Sequence, residues 1–162
     1  MKEKANILDI CCGLKAFYFD KNDERVLFQD KRIRPAGFCD FRPNFKIDPD
    51  IQMDFKNLQY DDGTFDHVVF DPPHIFAPRE DSIRMTKYYG RLDRETWKQD
   101  ISKGFSEGFR VLKPGGTLVF KWCDVSVKKK EVIELFKEKP IYGHTTRSKN
   151  KTHWLVFYKE RV

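Results

Sequence analysis

A chain of 162 residues, 40% hydrophobic and 15% aromatic, is long enough for one domain with a full core and too apolar for a disordered one. No apolar stretch approaches the roughly 20 residues of a membrane span, and Met1-Lys2-Glu3-Lys4 leads into a strand-like run without a signal-peptide core, so a cytoplasmic protein with no membrane partner is expected. Lys plus Arg outnumber Asp plus Glu by 31 to 25, a net charge of +6 that favours a polyanionic partner, nucleic acid first.

The four cysteines, Cys11, Cys12, Cys39 and Cys123, show no paired C-x-x-C spacing. Neither a metal site nor a disulfide framework is expected, and they read as small buried hydrophobes. No internal repeat or low-complexity segment divides the chain. It reads as a single domain over 1–162 without a separate target-recognition domain.

Residues 5–10 are a short apolar run ending at Cys11-Cys12-Gly13. A strand that runs into glycine lets the backbone approach a ligand, as at the first turn of doubly wound folds, although a plain tight turn has the same appearance. There is no G-x-G-x-x-G, so a dinucleotide pyrophosphate is poorly served. Residues 14–24 are expected to form a short aromatic helix (Phe17, Tyr18, Phe19), and 25–30 the second strand. Asp30 ends that strand, where a carboxylate can accept hydrogen bonds from both hydroxyls of a ribose.

Periodicity is lost over 31–48, where Lys31, Arg32, Arg34, Arg42 and Lys46 interleave with Phe38, Phe41 and Phe45. Cations for phosphates and rings for bases make this a candidate nucleic-acid surface; equally, the rings can fold back onto the core. Residues 51–55 form a brief third strand. Its end carries Asp54, able to accept from an adenine amino group, and Phe55, able to lie against the ring. Residues 59–66 are a polar turn into the fourth strand.

That strand ends Val68-Val69-Phe70-Asp71-Pro72-Pro73-His74. Three consecutive apolar residues suit a strand buried on both faces. The two prolines remove backbone donors and fix φ, so the exit is rigid and presents carbonyl oxygens beside an acid, although Asp-Pro also begins ordinary turns. A second basic, aromatic, irregular segment follows over 75–93, with Arg84, Tyr88 and Tyr89.

Asp93 is expected to cap a helix in which Trp97, Ile101, Phe105 and Phe109 recur every four residues, ended by Lys113-Pro114-Gly115-Gly116. The fifth strand is 117–122. Ser126 is expected to cap a last helix, whose Lys128-Lys129-Lys130 is a solvated face or a phosphate contact. Residues 141–146 and 152–159 form an antiparallel hairpin. The whole predicts an α/β fold, a Rossmann-like doubly wound sheet of about seven strands, mostly parallel with an antiparallel C-terminal hairpin.

This order resembles class I S-adenosylmethionine-dependent methyltransferases: a glycine turn after strand one, acids ending strands two and three, Asp-Pro-Pro after strand four and Lys-Pro-Gly-Gly before strand five. The resemblance covers nearly the whole chain. It is greatest to small methyltransferases of phages and mobile elements with His after Asp-Pro-Pro and a Lys-Thr-His-Trp tail, here Lys151-Thr152-His153-Trp154. Two departures are that Leu14-Lys15-Ala16 follow Gly13 without a second glycine, and that His74 stands where Tyr or Phe is usual.

The resemblance implies S-adenosylmethionine as cofactor, with its methionine part at Asp9, Cys11 and Gly13, its ribose at Asp30 and its adenine at Asp54 and Phe55. Asp71, also beside the cofactor, and the Pro72 carbonyl would hold the target amino group, with Pro73 stiffening the turn. His74 would stack on a base or relay a proton. Arg34, Arg42, Arg84, Tyr88, Lys121, Trp122, Lys151 and His153 are candidate substrate contacts, although a Trp in a strand, as at Trp122 and Trp154, is more often core. The function implied is N-methylation of an exocyclic amino group of a nucleic-acid base in DNA or RNA, adenine N6 foremost. The alternatives are a protein amide or small amine as acceptor, or a catalytically idle subunit that binds nucleic acid or a partner.

Overall fold

The computed structural model describes every residue except Met1, Glu3, Phe41 and Val162, so Phe41 of the first basic loop lies outside the described residues. Seven strands form one sheet: β1 (Ile7–Asp9), β2 (Val26–Asp30), β3 (Ile51–Gln52), β4 (Phe65–Phe70), β5 (Leu112–Cys123), β6 (Tyr142–Thr145) and β7 (Thr152–Tyr158). Their order is β3-β2-β1-β4-β5-β7-β6. β1 to β5 run parallel, and β7 pairs antiparallel with β5 and β6. This is the expected Rossmann-like sheet with its C-terminal hairpin. The chain winds outward from β1 to β3 and returns to place β4 on the other side of β1, which opens a crevice at the carboxyl ends of β1 and β4.

The helices are α1 (Arg84–Tyr89), α2 (Trp97–Val111) and α3 (Lys129–Ile133). Ile101, Phe105 and Val111 of α2 and Val132 of α3 join Leu8, Ile10, Val68, Phe70, Leu118, Phe120 and Phe157 in the main core. Phe105 stacks on Phe136 at 3.9 Å and meets Phe157 edge-on at 4.8 Å. The every-fourth-residue pattern read in α2 is thus the pattern of its buried face.

The opposite face has no helix from the first two crossovers. The short helix expected over 14–24 is instead a series of turns. Asp20 and Asp23 accept hydrogen bonds from the backbone N–H groups of Asn22 and Arg25, local bonding that competes with a helix. Lys15 takes a left-handed φ of 51°. Aromatic rings cover the sheet in the helix's place: Tyr18 lies edge-on to Phe28 at 4.7 Å, Phe17 stacks on Tyr18 at 4.8 Å, and Phe17 meets Trp154 edge-on at 5.2 Å. In the 31–48 segment the rings do fold back: Phe38 and Phe45 pack against Leu14, Cys39, Ile47 and Tyr88.

Three boundaries differ from expectation. Asp93 caps the turn before α2, accepting the Glu95 N–H on its side chain and the Trp97 N–H on its carbonyl, so the helix itself starts at Trp97. Lys113-Pro114-Gly115-Gly116 lies within extended β5, where the pairing with β4 shifts register between Phe65 and His67. Ser126 does not cap α3; its hydroxyl accepts the Phe76 N–H at 2.9 Å and ties the segment after His74 to the end of β5. Among the described residues no helix is long and apolar enough to cross a membrane.

α2 sits unusually close to the sheet at Gly104, where a Cβ would lie 2.5 Å from the Phe55 ring and 2.7 Å from the Phe70 ring. Gly104→Ala is therefore expected to lower stability by about 1–3 kcal/mol despite the better helix propensity of alanine. Gly108→Ala, whose nearest neighbour is Leu118 at 3.2 Å, should stay within about 1 kcal/mol of wild type. Urea unfolding of both variants measures the difference.

Candidate active site

The carboxyl ends of β1, β2, β4 and β5 meet in a cavity of about 300 Å³. Its lining includes Cys11, Cys12 and Gly13 after β1, Asp30 at the end of β2, Asp71-Pro72-Pro73-His74 after β4, and Lys121 and Cys123 of β5. Leu14, Ala16, Phe17, Lys31, Arg32, Phe55, Met85, Tyr89 and Thr152 complete the walls. The sheet topology accounts for most of this gathering, since Cys11 to Gly13, Asp30, Asp71 to His74, Lys121 and Cys123 sit at strand ends or in the turns after them, while Met85 and Tyr89 come from α1.

Asp30 is 3% exposed. Its carboxylate accepts the Gly13 N–H at 2.8 Å, the Arg32 N–H at 2.9 Å and the Arg32 Nε–H at 3.2 Å. Arg32 reaches on to the Tyr88 carbonyl and to Glu80, 3.5 Å away. Gly13 has φ of +49°, a conformation that suits glycine.

Asp9 lies beneath the same turn and is fully buried. It accepts the Cys11 N–H at 3.1 Å and the Tyr18 hydroxyl at 2.9 Å. Burial pushes its carboxyl up to about 7, against the opposing pull of those two hydrogen bonds. Burial likewise raises the Cys11 thiol, so it is not a thiolate nucleophile at neutral pH.

At the other end of the cavity the Lys121 ammonium is 2.6 Å from Asp71 Oδ2, with the two side chains 24% and 19% exposed. The same ammonium lies 5.4 Å from the Phe17 ring centre and 5.6 Å from that of Trp154. His74 lines the cavity, edge-on to Trp122 at 6.2 Å, and its Nδ1 is buried without a hydrogen-bond partner. Burial holds His74 below the usual histidine range, so it is neutral at pH 7. Among the described residues no group of three His, Cys, Asp or Glu side chains is arranged to hold a metal ion.

The structure therefore brings Cys11, Gly13, Asp30, Phe55, Asp71, Pro72, Pro73, His74 and Lys121 together in one cavity, with Asp9 directly behind it. Other sequence candidates lie elsewhere. Trp122 points to the opposite face of the sheet, fully buried, with its indole N–H on the Val127 carbonyl. Residues alternate across a strand, so Lys121 and Trp122 could not both face the cavity. His153 pairs with Trp122 in register on that same side, buried between Thr145, 2.9 Å from Nδ1, and Asp124, 3.1 Å from Nε2.

Tyr88 is packed among Leu14, Cys39 and Ile47. Asp54 turns outward to accept the Lys56 N–H. Arg34 pairs with Glu80, Arg42 stacks on Phe45, and Arg84 and Lys151 are exposed outside the cavity lining. Arg32 and Tyr89, named in the sequence only as members of the two basic, aromatic segments, line the cavity, as does Met85, which no sequence signal singled out. Met85 and Tyr89 are four apart on α1, a spacing that puts them on one face. Reading that segment as irregular hid the relation.

No protein-family model matches the chain, and no curated protein matches it in sequence. Solved structures are similar in fold. The N-methyltransferase NodS from Bradyrhizobium japonicum WM9, in complex with S-adenosyl-L-homocysteine, superposes with a TM-score of 0.59 at 16% identity over 97% of this chain and 79% of that one. A SAM-dependent methyltransferase from Methanosarcina mazei gives 0.56 at 15% identity over 99% and 95%. The PH0226 protein from Pyrococcus horikoshii OT3 gives 0.56 at 20% identity over 99% and 84%. At these identities the likeness establishes the fold, which is that of S-adenosylmethionine-dependent methyltransferases.

The buried Asp9 gives a signed pH effect. Its carboxyl sits at about 7 in the folded chain against an ordinary value of 3.8. Ionising it in place therefore costs stability that is present at low pH and is lost as pH rises to about 7. Asp9→Asn, which keeps an acceptor for the Cys11 N–H, should gain on wild type by up to about 1.4 kcal/mol per pH unit between pH 5 and 7, and by a constant amount above that. Thermal unfolding of both proteins across pH 5–9 checks it; parallel curves would remove Asp9 as the titrating group.

Proposed function

We propose that the chain is an enzyme that binds S-adenosylmethionine in the cavity and transfers its methyl group to an exocyclic amino nitrogen of a nucleic-acid base, adenine N6 foremost, in DNA or RNA. The observation that carries this reading is Asp71-Pro72-Pro73 opening onto the same cavity as Gly13, Asp30 and Phe55. The cofactor supplies an electrophilic methyl on a sulfonium and departs as the neutral sulfide.

The residues fit such a ligand in kind. Asp30 is a buried carboxylate at the position where hydroxyls are gripped, with one acceptor site beyond the three it already uses. Phe55 offers a ring wall, and the turn at Gly13 brings backbone close to the cavity. Asp9 adds a buried acid that responds to a nearby cation by ionising more readily.

Acceptor chemistry follows from charge. Lys121 already neutralises Asp71. A protonated alkylamine would bring a second cation beside the cationic cofactor and would have no free lone pair. A planar amine is uncharged at pH 7. Its two N–H groups can donate to the second oxygen of Asp71 and to the Pro72 carbonyl, which draws the nitrogen toward a tetrahedral shape and frees the lone pair. As the N–CH₃ bond forms, the methyl–sulfur bond breaks and its electron pair stays on sulfur. The surplus proton on nitrogen then leaves; His74, in the cavity wall and neutral, would accept it.

Incubation with radiolabelled S-adenosylmethionine and separate pools of duplex DNA, single-stranded DNA, RNA and protein tests this reading. Label is expected in a nucleic-acid pool and should fall about 10²–10³-fold in Asp71→Ala. Label confined to protein would replace the base with an amide as acceptor. Binding of S-adenosyl-L-homocysteine without label in any pool would bring the idle-subunit reading forward.

A further inference from the structure

A second cleft, of about 260 Å³, adjoins the main cavity at the glycine turn and shares Gly13 and Leu14 with it. Its other walls come from the two non-helical crossovers: Lys15, Lys21 and Asn22 from the first, and Asn44, Phe45, Lys46 and Asp48 from the second. Three lysines and two asparagines line the opening, and its one acid, Asp48, is held by Lys46 at 2.6 Å. That exposed pair is worth little and exchanges readily for a stronger anion.

Lys15 is the one described residue other than glycine with a left-handed backbone, φ 51°. Such a conformation costs on the order of 1–3 kcal/mol and persists where the surroundings enforce it. Here its ammonium lies 4.2 Å from the Phe28 ring centre and donates to the Lys21 carbonyl at 3.3 Å, so two of the three lysines are joined at the cleft.

We propose that this cleft binds a backbone phosphate of the strand whose base enters the main cavity. The inference rests on the nucleic-acid reading above and adds a site to it. A phosphodiester monoanion suits a small opening lined by three lysines, one of them paired with Asp48, and two asparagines. The shared wall at Gly13 and Leu14 sets the phosphate one chain turn away from the methyl-transfer cavity. Basic residues there would fix where the strand lies and leave base identity to the main cavity.

The test is fluorescence anisotropy with labelled single-stranded DNA and RNA 20-mers over a series of KCl concentrations. Lys15→Gln/Lys21→Gln/Lys46→Gln is compared with Lys98→Gln/Lys103→Gln/Lys137→Gln, which removes equal charge from exposed positions outside both cavities. The cleft variant should bind about 10- to 100-fold more weakly at 0.1 M salt, and its slope of log K against log salt should drop by about 2, as expected for three lost contacts to a single strand. The control should change less than 3-fold. Lys15 packs on Phe28, so Lys21→Gln/Lys46→Gln provides a pair that leaves that contact intact, with an expected drop in slope of about 1.4.

Equal losses in the cleft and control variants would overturn the proposal. So would competition by inorganic phosphate or polyglutamate as effective as that by unlabelled oligonucleotide, since either would mean a free-anion site or an acidic-protein surface. Calorimetry with S-adenosyl-L-homocysteine separates the two readings. Unchanged binding in the cleft variant is expected; no binding by wild type, with the strand effect intact, would sink the methyltransferase reading and leave the phosphate site standing.

Discussion

The carboxylate of Asp30 holds the site together. It is one buried anion with three donors, from Gly13 and from the backbone and side chain of Arg32. Arg32 carries the connection to the Tyr88 carbonyl and Glu80, and Glu80 also takes Arg34. The turn after β1, the crossover after β2 and the segment after β4 are thus tied to one charge. Removing one partner of such a buried pair leaves the other uncompensated, a loss of about 3–5 kcal/mol. On the proposed reading the same oxygens meet a ribose, so the cofactor would share Asp30 with Arg32, and cofactor binding and the placement of two loops would draw on one set of hydrogen bonds.

A division of labour between the two faces of the sheet follows. The helical face is a dense aromatic core in which Phe105, Phe120, Phe136 and Phe157 meet one another directly. It fixes the strand ends and hence the backbone positions of Gly13, Asp30, Asp71 and Lys121. The other face carries the two clefts' loop walls. Its crossovers are loops rather than helices, and their side chains, Phe17, Lys15 and Arg32 among them, are free to line clefts instead of filling a helix interface.

Much of this was legible in the sequence, and the reasons for the rest are specific. Strands declare themselves by apolar runs, and their ends by the acid or glycine that follows, so Gly13, Asp30 and Asp71 could be located from the chain alone. The fold class followed from the same punctuation. The absent helix at 14–24 was not legible, because Phe17 and Tyr18 have adequate helix propensity and the decisive bonds, from Asp20 and Asp23 to nearby backbone, are side-chain choices. Tyr88 and Tyr89 could be told apart only once α1 was known: its turn buries Tyr88 and points Tyr89 to the cavity. Asp54 failed because a strand of two residues, β3, leaves the direction of the following side chain to the turn.

The missing helices also bear on how the chain assembles. β1 finds β2 across nineteen residues, Leu8 against Leu27, but β4 must find β5 across fifty, Val68 against Leu118, and β1 must find β4 across sixty, Leu8 against Val68. Without helices in the first two crossovers, little local structure narrows that search before the strands meet, and loop-closure entropy is met late. The β4–β5–β7 ladder, backed by α2 and the aromatic core, is expected to yield its amide protons to solvent exchange last. The helix-free stretches 14–24 and 31–48, which lie over the sheet rather than in it, are expected to open before the strands they connect.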